Sequence, residues 1–87
     1  MKRRTYLAHL IETSTDLEIS SKETYAWNSG VRASEALVRE YARKEGIILT
    51  GSEPWVDMPD SPYKTYTRTW THPSGYSVTA TVTEITA

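Results

Sequence analysis

Hydrophobic and polar residues alternate most regularly near the end of the chain, between Tyr63 and Thr86. β-Branched and aromatic residues alternate with their neighbours on both sides of Pro73, Ser74 and Gly75, which predicts a β-hairpin closed by a short loop. Pro73 suits the first central position of a type I turn, and Gly75 suits the left-handed position that follows. The pattern therefore predicts two antiparallel strands within residues 63–86.

This loop determines which residues of the two strands lie opposite each other. One face of the hairpin is then aromatic and aliphatic, and the other face is a ladder of threonines. A slip of one residue would turn the apolar set into water, so we expect a firmly fixed register. The predicted pairs are His72 with Tyr76, Trp70 with Val78, Arg68 with Ala80, Tyr66 with Val82 and Lys64 with Glu84 on the apolar face, and Thr71 with Ser77, Thr69 with Thr79, Thr67 with Thr81 and Thr65 with Thr83 on the threonine face.

A second alternating segment, Arg4–Thr13, predicts the first strand of the chain. Apolar residues stand on both of its faces, so we expect a central strand that is covered at least partly on each side. His9 lies within it and is interpreted as a hydrogen-bonded structural residue rather than a metal ligand. The alternation of residues 17–20 and 24–28 predicts a second, weaker hairpin that ends before Val31.

Residues 31–45 form the segment in which apolar residues recur at helical spacing. Gly46 is typical of the left-handed residue that ends a helix. On the polar side of this helix, two glutamates each precede a basic residue by four positions, an order that stabilises helices. The basic row on that side is therefore interpreted as a solvated face with its own ion pairs rather than a phosphate-binding stripe. The row is Arg32, Arg39 and Arg43, and the ion pairs are Glu35 with Arg39 and Glu40 with Lys44.

Between the helix and the hairpin, residues 47–50 predict a short buried strand, and residues 52–62 predict a loop rich in proline. The helix needs an apolar surface to cover, and the apolar face of the hairpin offers one. We therefore predict a two-layer α+β domain with a mainly antiparallel sheet of about four to six strands, including the hairpin at 63–86. One helix, at about residues 31–45, packs on one face of this sheet, and the threonine face contacts solvent.

The 87 residues are enough for one domain, which we take as residues 1–87. Cysteine is absent, which excludes disulfides, thiolate metal ligands and thiol nucleophiles. The formal net charge of −1 differs from that of most proteins whose main task is binding duplex nucleic acid. Basic residues at 2–4 resemble the start of a signal peptide, but the apolar run at 6–11 is too short and too polar for a signal or a membrane span. We expect a cytoplasmic protein that binds no membrane.

The sequence carries none of the motifs of common catalytic sites, such as nucleophile elbows, glycine-rich phosphate loops, zinc-protease helices and calcium loops. His9 and His72 lie in different predicted strands, and neither has a carboxylate or a second histidine at ligand spacing. A catalytic site would need the fold to bring one of them beside a carboxylate. We therefore predict a protein that is not an enzyme and that uses neither a cofactor nor a metal.

The loop 52–62 is the first candidate binding surface. A tryptophan and a methionine stand there among acidic residues, the pattern of a hot spot directed at a protein partner with a basic surface. The alternative is that the tryptophan packs against the sheet and only the acids face water. The residues of this candidate surface are Glu53, Trp55, Asp57, Met58 and Asp60.

One strand of the hairpin is the second candidate surface, because Arg68 stands between Tyr66 and Trp70. If the helix leaves these rings exposed, they form a stacking platform for single-stranded nucleic acid or RNA, assisted by Arg3 and Arg4. If the helix covers them, Arg68 must reach an edge of the sheet or stack on a ring. Nucleic-acid binding is therefore the alternative to protein binding.

The threonine face is interpreted as an ordinary solvent-facing strand surface, and an open strand edge would allow a homodimer. In size, acidic loop and lack of catalytic motifs, the chain resembles the small inhibitors that phages and mobile elements encode, of which anti-CRISPR proteins are one group. Many of those proteins fold as one or two helices on an antiparallel sheet. The resemblance rests on these general properties rather than on a motif, and it implies an inhibitor that docks on a partner protein.

Overall fold

The structure is a computed structural model that describes residues 4–52, 55–58 and 63–86. Within these ranges, no helix is both long and apolar enough to cross a membrane. The secondary-structure elements are β1 (Arg4–Glu12), β2 (Glu18–Thr24), α1 (Trp27–Glu45), β3 (Thr50–Gly51), β4 (Val56–Asp57), β5 (Thr65–Thr71) and β6 (Ser77–Thr86).

These strands form one antiparallel sheet with the order β2-β1-β6-β5-β3, and β4 also pairs with β5. Helix α1 packs on one face of the sheet, against β1, β2 and β6. The two-layer α+β architecture predicted from the sequence is confirmed. β1 lies between β2 and β6, which agrees with the apolar residues on both of its faces.

The C-terminal hairpin has the predicted register. All seven residue pairs between β5 and β6 are predicted ones, and Trp70 lies opposite Val78 among them. In the loop, the N–H of His72 donates to the carbonyl of Tyr76 at 2.7 Å. Gly75 has a φ of 98°, a left-handed conformation that glycine adopts without steric cost. The loop therefore closes as the turn residues predict.

The second hairpin predicted between residues 17 and 28 is wrong. Residues 18–24 form the single strand β2, which pairs with β1, and α1 begins at Trp27 rather than at Val31. The reason is tertiary: the Trp27 ring packs edge-to-face on Tyr6 of β1, with ring centres 5.9 Å apart. Local alternation could not reveal a contact with a strand so far away in the sequence.

The predicted strand at 47–50 and loop at 52–62 also need correction. β3 is only Thr50–Gly51, and Ile48 is 79% exposed rather than buried. Inside the predicted loop, β4 pairs with β5, and the N–H of Met58 donates to the carbonyl of Thr65. The backbone of β5 needs hydrogen-bond partners along its outer edge, and this segment supplies them.

The hydrophobic core lies between α1 and the sheet, and the helix approaches the strands closely at one point. A Cβ atom on Gly30 would lie only 2.9 Å from Cγ1 of Val82, so this crossing requires a residue without a side chain. Close approach lets the larger core side chains interdigitate on either side of the crossing. The buried cluster consists of Leu10, Val38, Trp70, Val78 and Ala80.

Ser34 of α1 is fully buried, and its hydroxyl has no hydrogen-bond partner among the described residues. A buried hydroxyl without a partner costs about 1–3 kcal/mol, and alanine is the better helix former. Ser34→Ala is therefore expected to raise the free energy of unfolding, measured in urea, by about 1 kcal/mol. Ser29→Ala, at an exposed position of the same helix, is the control and should change it by less than about 0.5 kcal/mol. A clear loss of stability in Ser34→Ala would contradict the prediction.

The sheet face turned away from α1 carries the predicted threonine ladder. The hydroxyl of Thr79 lies 2.9 Å from that of Thr13 and 3.5 Å from that of Thr69. Leu7 and Ile11 of β1 lie on this face beside the threonines and are half-buried. The face therefore combines hydroxyl and aliphatic groups.

A hydrogen-bond network joins β1, α1 and Tyr76, the residue that precedes β6. Tyr76 donates to Oε2 of Glu12 at 3.3 Å, and its hydroxyl lies 2.7 Å from that of Tyr41. Partial burial is the main cause that raises the pKa of Tyr76, and the contacts with Tyr41 and Glu12 raise this pKa further. The folded protein therefore retains the Tyr76 proton at pH values where the unfolded chain has released it.

Stability is consequently expected to fall as the pH rises above about 10, the ordinary pKa of tyrosine. The contribution of Tyr76 is fully present below that pH and is lost as the pH rises through the higher pKa of the folded state. Tyr76→Phe removes the ionisable hydroxyl group. The thermal midpoint of this variant should therefore decline less steeply above about pH 10 than that of the wild type. Equal declines in the two proteins would contradict the prediction.

Candidate binding groove

An open groove lies beside the first turn of α1, between the helix and the strands β4 and β5. Its volume is about 420 Å³, within the roughly 300–1,000 Å³ that ligand sites span. Three aromatic rings and one cation line it. We call it the aromatic groove, and its lining residues are Trp27, Asn28, Val31, Trp55, Lys64 and Tyr66.

Trp27 forms the helix side of the aromatic groove, because α1 begins with this residue. Its ring packs edge-to-face on Tyr66 of β5, with ring centres 4.7 Å apart and planes at 62°, in addition to its contact with Tyr6. Such ring pairs each contribute about 0.5–1.5 kcal/mol beyond area burial. Val31 stands one helical turn further along the same side of α1. The wall is therefore held by contacts to two strands.

Trp55 forms another wall, and β4 explains its position. Val56 lies opposite Thr67 on the threonine face, so Trp55, its neighbour in the chain, projects towards the helix side. There its ring packs edge-to-face on Trp70, with ring centres 6.1 Å apart. Trp55 is half-buried, with part of its surface packed on the core and part lining the groove.

Two charges of opposite sign border the rings. Nζ of Lys64 lies 5.8 Å from the centre of the Tyr66 ring, within cation–π range. Asp57 is exposed and lies opposite Tyr66 in the pairing of β4 with β5, so it projects from the same face of the sheet. The aromatic groove therefore offers a cation and an anion beside an apolar floor.

Arg68 contacts Ser52, Trp70 and Glu35 on the helix side of the sheet. Its Nε donates to the carbonyl of Ser52 at 2.7 Å, and its guanidinium lies 4.9 Å from the centre of the Trp70 ring. Its Nη1 lies 3.9 Å from Oε2 of Glu35, so this glutamate turns to β5 instead of to Arg39. Trp70 is only 7% exposed. Of the two alternatives that the sequence leaves open, the structure therefore shows the one in which the ring of Trp70 is covered and Arg68 stacks on it.

The structure joins two residues that the sequence placed on separate surfaces. Trp55 of the loop surface and Tyr66 of the strand surface line the same groove. Asp57 and Met58 of the loop surface are exposed, and of the two, Asp57 projects from the groove side of β4. The remaining predicted site residues Glu53, Asp60 and Arg3 lie outside the described residues, as does the side chain of Arg4.

Trp27, Val31 and Lys64 line the groove although no sequence pattern assigned them to a site. A signal for the first two was present, because Trp27 and Val31 are four residues apart and extend the apolar side of the helix back by one turn. Lys64 is two residues from Tyr66 and therefore projects from the same face of the hairpin. What the sequence could not supply was the meeting of these segments in space.

The fold also brings His9 beside a carboxylate, on the threonine face of the sheet. Nε2 of His9 lies 2.8 Å from Oε1 of Glu18, and Ser21 and Thr81 lie opposite His9 in the two neighbouring strands. A carboxylate can orient an imidazole for catalysis, but general-base chemistry also needs a pocket that holds a substrate. The aromatic groove lies on the other side of the sheet. No group of three or more His, Cys, Asp or Glu residues in the described ranges could hold a metal ion.

Comparison of the chain with known proteins finds no matching family model, no matching curated protein and no matching solved structure.

Proposed function

We propose that the protein is a non-enzymatic binding module that docks on a partner protein through the aromatic groove and the adjoining segment 55–58. The observation that carries the proposal is the convergence of Trp27, Trp55 and Tyr66 on one open groove. Tryptophan and tyrosine are the residues on which binding energy concentrates in protein interfaces. A rigid ring provides a large contact area at a small cost in conformational entropy.

The surroundings of the groove support a protein partner. Val56 is 53% exposed and Met58 is 44% exposed. Val56 projects from the threonine face of the edge strand β4, so a partner that contacts it must cover the outer edge of the sheet as well as the groove. Single exposed apolar residues are ordinary, whereas a group of them along a strand edge next to a groove is typical of an interaction surface. Asp57 lies between them in the chain but projects from the groove side, where it provides the polar rim that interfaces have around an apolar centre.

The charges define the partner further. A basic group of the partner is expected to face Asp57, which agrees with the basic surface predicted from the acidic loop. Lys64 also lines the groove and adds a position for an acidic group of the partner. An inhibitory role of the kind encoded by phages and mobile elements, action in the cytoplasm and a homodimer through a strand edge stay predictions.

Trp55→Ala is expected to weaken binding of the partner by at least about tenfold, or about 1.4 kcal/mol, because it removes one ring of the groove. The partner is first captured from the producing cell by quantitative crosslinking, and its affinity is then measured by calorimetry. Ile48→Ala is the matched control, since Ile48 is the more exposed side chain and lies near the opposite end of α1. Wild-type affinity in Trp55→Ala, with Ile48→Ala also unchanged, would contradict the proposal.

The alternative function, binding of single-stranded nucleic acid, predicts a different result in the same groove. Tyr66 and Lys64 would provide a ring for a base and a cation for a phosphate. Fluorescence anisotropy of a labelled oligothymidine at low salt tests it, because such binding weakens steeply as salt rises. Tight, salt-sensitive binding that Tyr66→Ala abolishes would favour the alternative over a protein partner.

A further inference from the structure

One edge of the sheet is covered by short strands, and the other edge is open within the described ranges. The outer edge of β5 is paired with β3 and β4, and the N–H of Ser52 donates to the carbonyl of Thr69 between them. β2 lies at the opposite end of the sheet, and no strand pairs with its outer side within the described ranges. Backbone N–H and C=O groups along an unpaired edge are ready to pair with another extended chain.

A second groove lies directly beside this open edge, between β2 and α1. Its volume is about 270 Å³, below the roughly 300–1,000 Å³ of small-molecule sites. Ile19, Leu37 and Tyr41 give it an apolar floor next to the core. We call it the edge groove; it has room for a large side chain rather than for a ligand, and its lining residues are Ile19, Ser20, Leu37, Glu40, Tyr41 and Lys44.

The chain itself shows how such an edge is filled. At β5, the segment 55–58 adds β4 to the sheet and inserts the Trp55 ring on the helix side, against Trp70. The same two features, an unpaired strand edge and a groove flanking α1, recur at β2 without an occupant from the described residues. An added strand would satisfy the backbone of β2 and place alternate side chains towards the edge groove.

The charges around the edge groove indicate what the added strand carries. Lys44 lines the groove, and Lys22 lies opposite Ala8, so it projects from the helix side of β2 two residues from Ser20. Neither lysine forms an ion pair within the described part of the chain. Two cations against the single acid Glu40 complement an acidic side chain on the added strand.

We infer that β2 accepts an extended segment of a partner protein as an additional strand, with one bulky apolar side chain in the edge groove and an acidic side chain facing Lys22 and Lys44. This site is separate from the aromatic groove of the proposed function. The aromatic groove lies beside β5, whereas the edge groove lies beside β2, at the opposite end of the sheet. Main-chain hydrogen bonds supply the affinity of such a complex, and the groove supplies its specificity.

Selection of phage-displayed random peptides on the immobilised protein tests the inference, with the affinity of enriched synthetic peptides measured by anisotropy. Ser20→Trp fills the edge groove from within and should weaken these peptides by at least about tenfold. Ser21→Trp places the same ring on the opposite face of the same strand and should bind as the wild type. Lys44→Gln, which removes one cation at an exposed position, should weaken acidic peptides and change the thermal midpoint little.

Amide hydrogen exchange decides where the peptide lies. Bound peptide should slow the exchange of β2 amides, and enriched sequences should carry an acidic residue near a bulky apolar one. Equal affinity for Ser20→Trp and wild type, slowing confined to other strands, or no enrichment over a blank surface would each overturn the inference. A second copy of the chain could also occupy the outer edge of β2. Light scattering that shows a dimer, together with slow exchange of the β2 amides in the absence of peptide, would therefore overturn the inference.

Discussion

Replacing Trp70 with alanine is expected to lower the free energy of unfolding by about 3–5 kcal/mol. Trp70 is 7% exposed and belongs to the buried cluster between α1 and the sheet. Its ring also contacts the ring of Trp55 and the guanidinium of Arg68. Alanine would leave a cavity that these neighbours cannot close without losing their own contacts.

Urea denaturation followed by circular dichroism measures this loss. A domain of 87 residues has a total stability of about 5–15 kcal/mol, so the variant should retain only a marginal fold. Thr71→Ala is the control, since Thr71 is exposed in the same strand and projects from the threonine face; it should cost less than about 1 kcal/mol. Similar losses in both variants would show that Trp70 is not part of the core.

Gly30→Ala is expected to lower the free energy of unfolding by about 1–3 kcal/mol. Helix propensity alone predicts the opposite, because alanine stabilises a helix interior by about 1 kcal/mol relative to glycine. Here the added Cβ would lie 2.9 Å from Cγ1 of Val82 and 3.3 Å from Cβ of Tyr6, so the helix or the strands must move. Because Val82 is fully buried, it has little room to yield.

A double-mutant cycle tests the cause of this loss. Val82→Ala removes the methyl group that would clash, so Gly30→Ala should cost much less, or even stabilise, in that background. The free energies of unfolding of the four proteins give the coupling between the two positions. An equal cost in both backgrounds would show that the loss comes from elsewhere in the helix.

The hairpin could be predicted from the sequence because its determinants are local. Pro73 and Gly75 specify the loop, and strict alternation on both sides assigns each residue to a face. The start of α1 could not be predicted in the same way. Trp27 belongs to the helix because its ring packs on Tyr6 and Tyr66, which come from two distant strands.

The residues of the aromatic groove could be predicted only in part, because their meeting depends on contacts between distant segments. The sequence predicts Trp55 and Tyr66 as binding residues of two separate surfaces. The pairing of β4 with β5 brings them together, and this pairing is not visible in the alternation of either segment. Arg68 stood out as a charge between two rings, and the sequence left open whether it was exposed. Its contacts with Ser52 and Glu35 depend on the edge of β5 and on α1, and they decide the matter.

The construction of the aromatic groove is tested most directly by nuclear Overhauser contacts between aromatic rings in the isotope-labelled protein. The structure predicts contacts between the rings of Trp27 and Tyr66 and between those of Trp55 and Trp70. Their absence, with Trp27 in an extended segment and Trp55 in contact with water alone, would contradict the groove on which the proposed function rests.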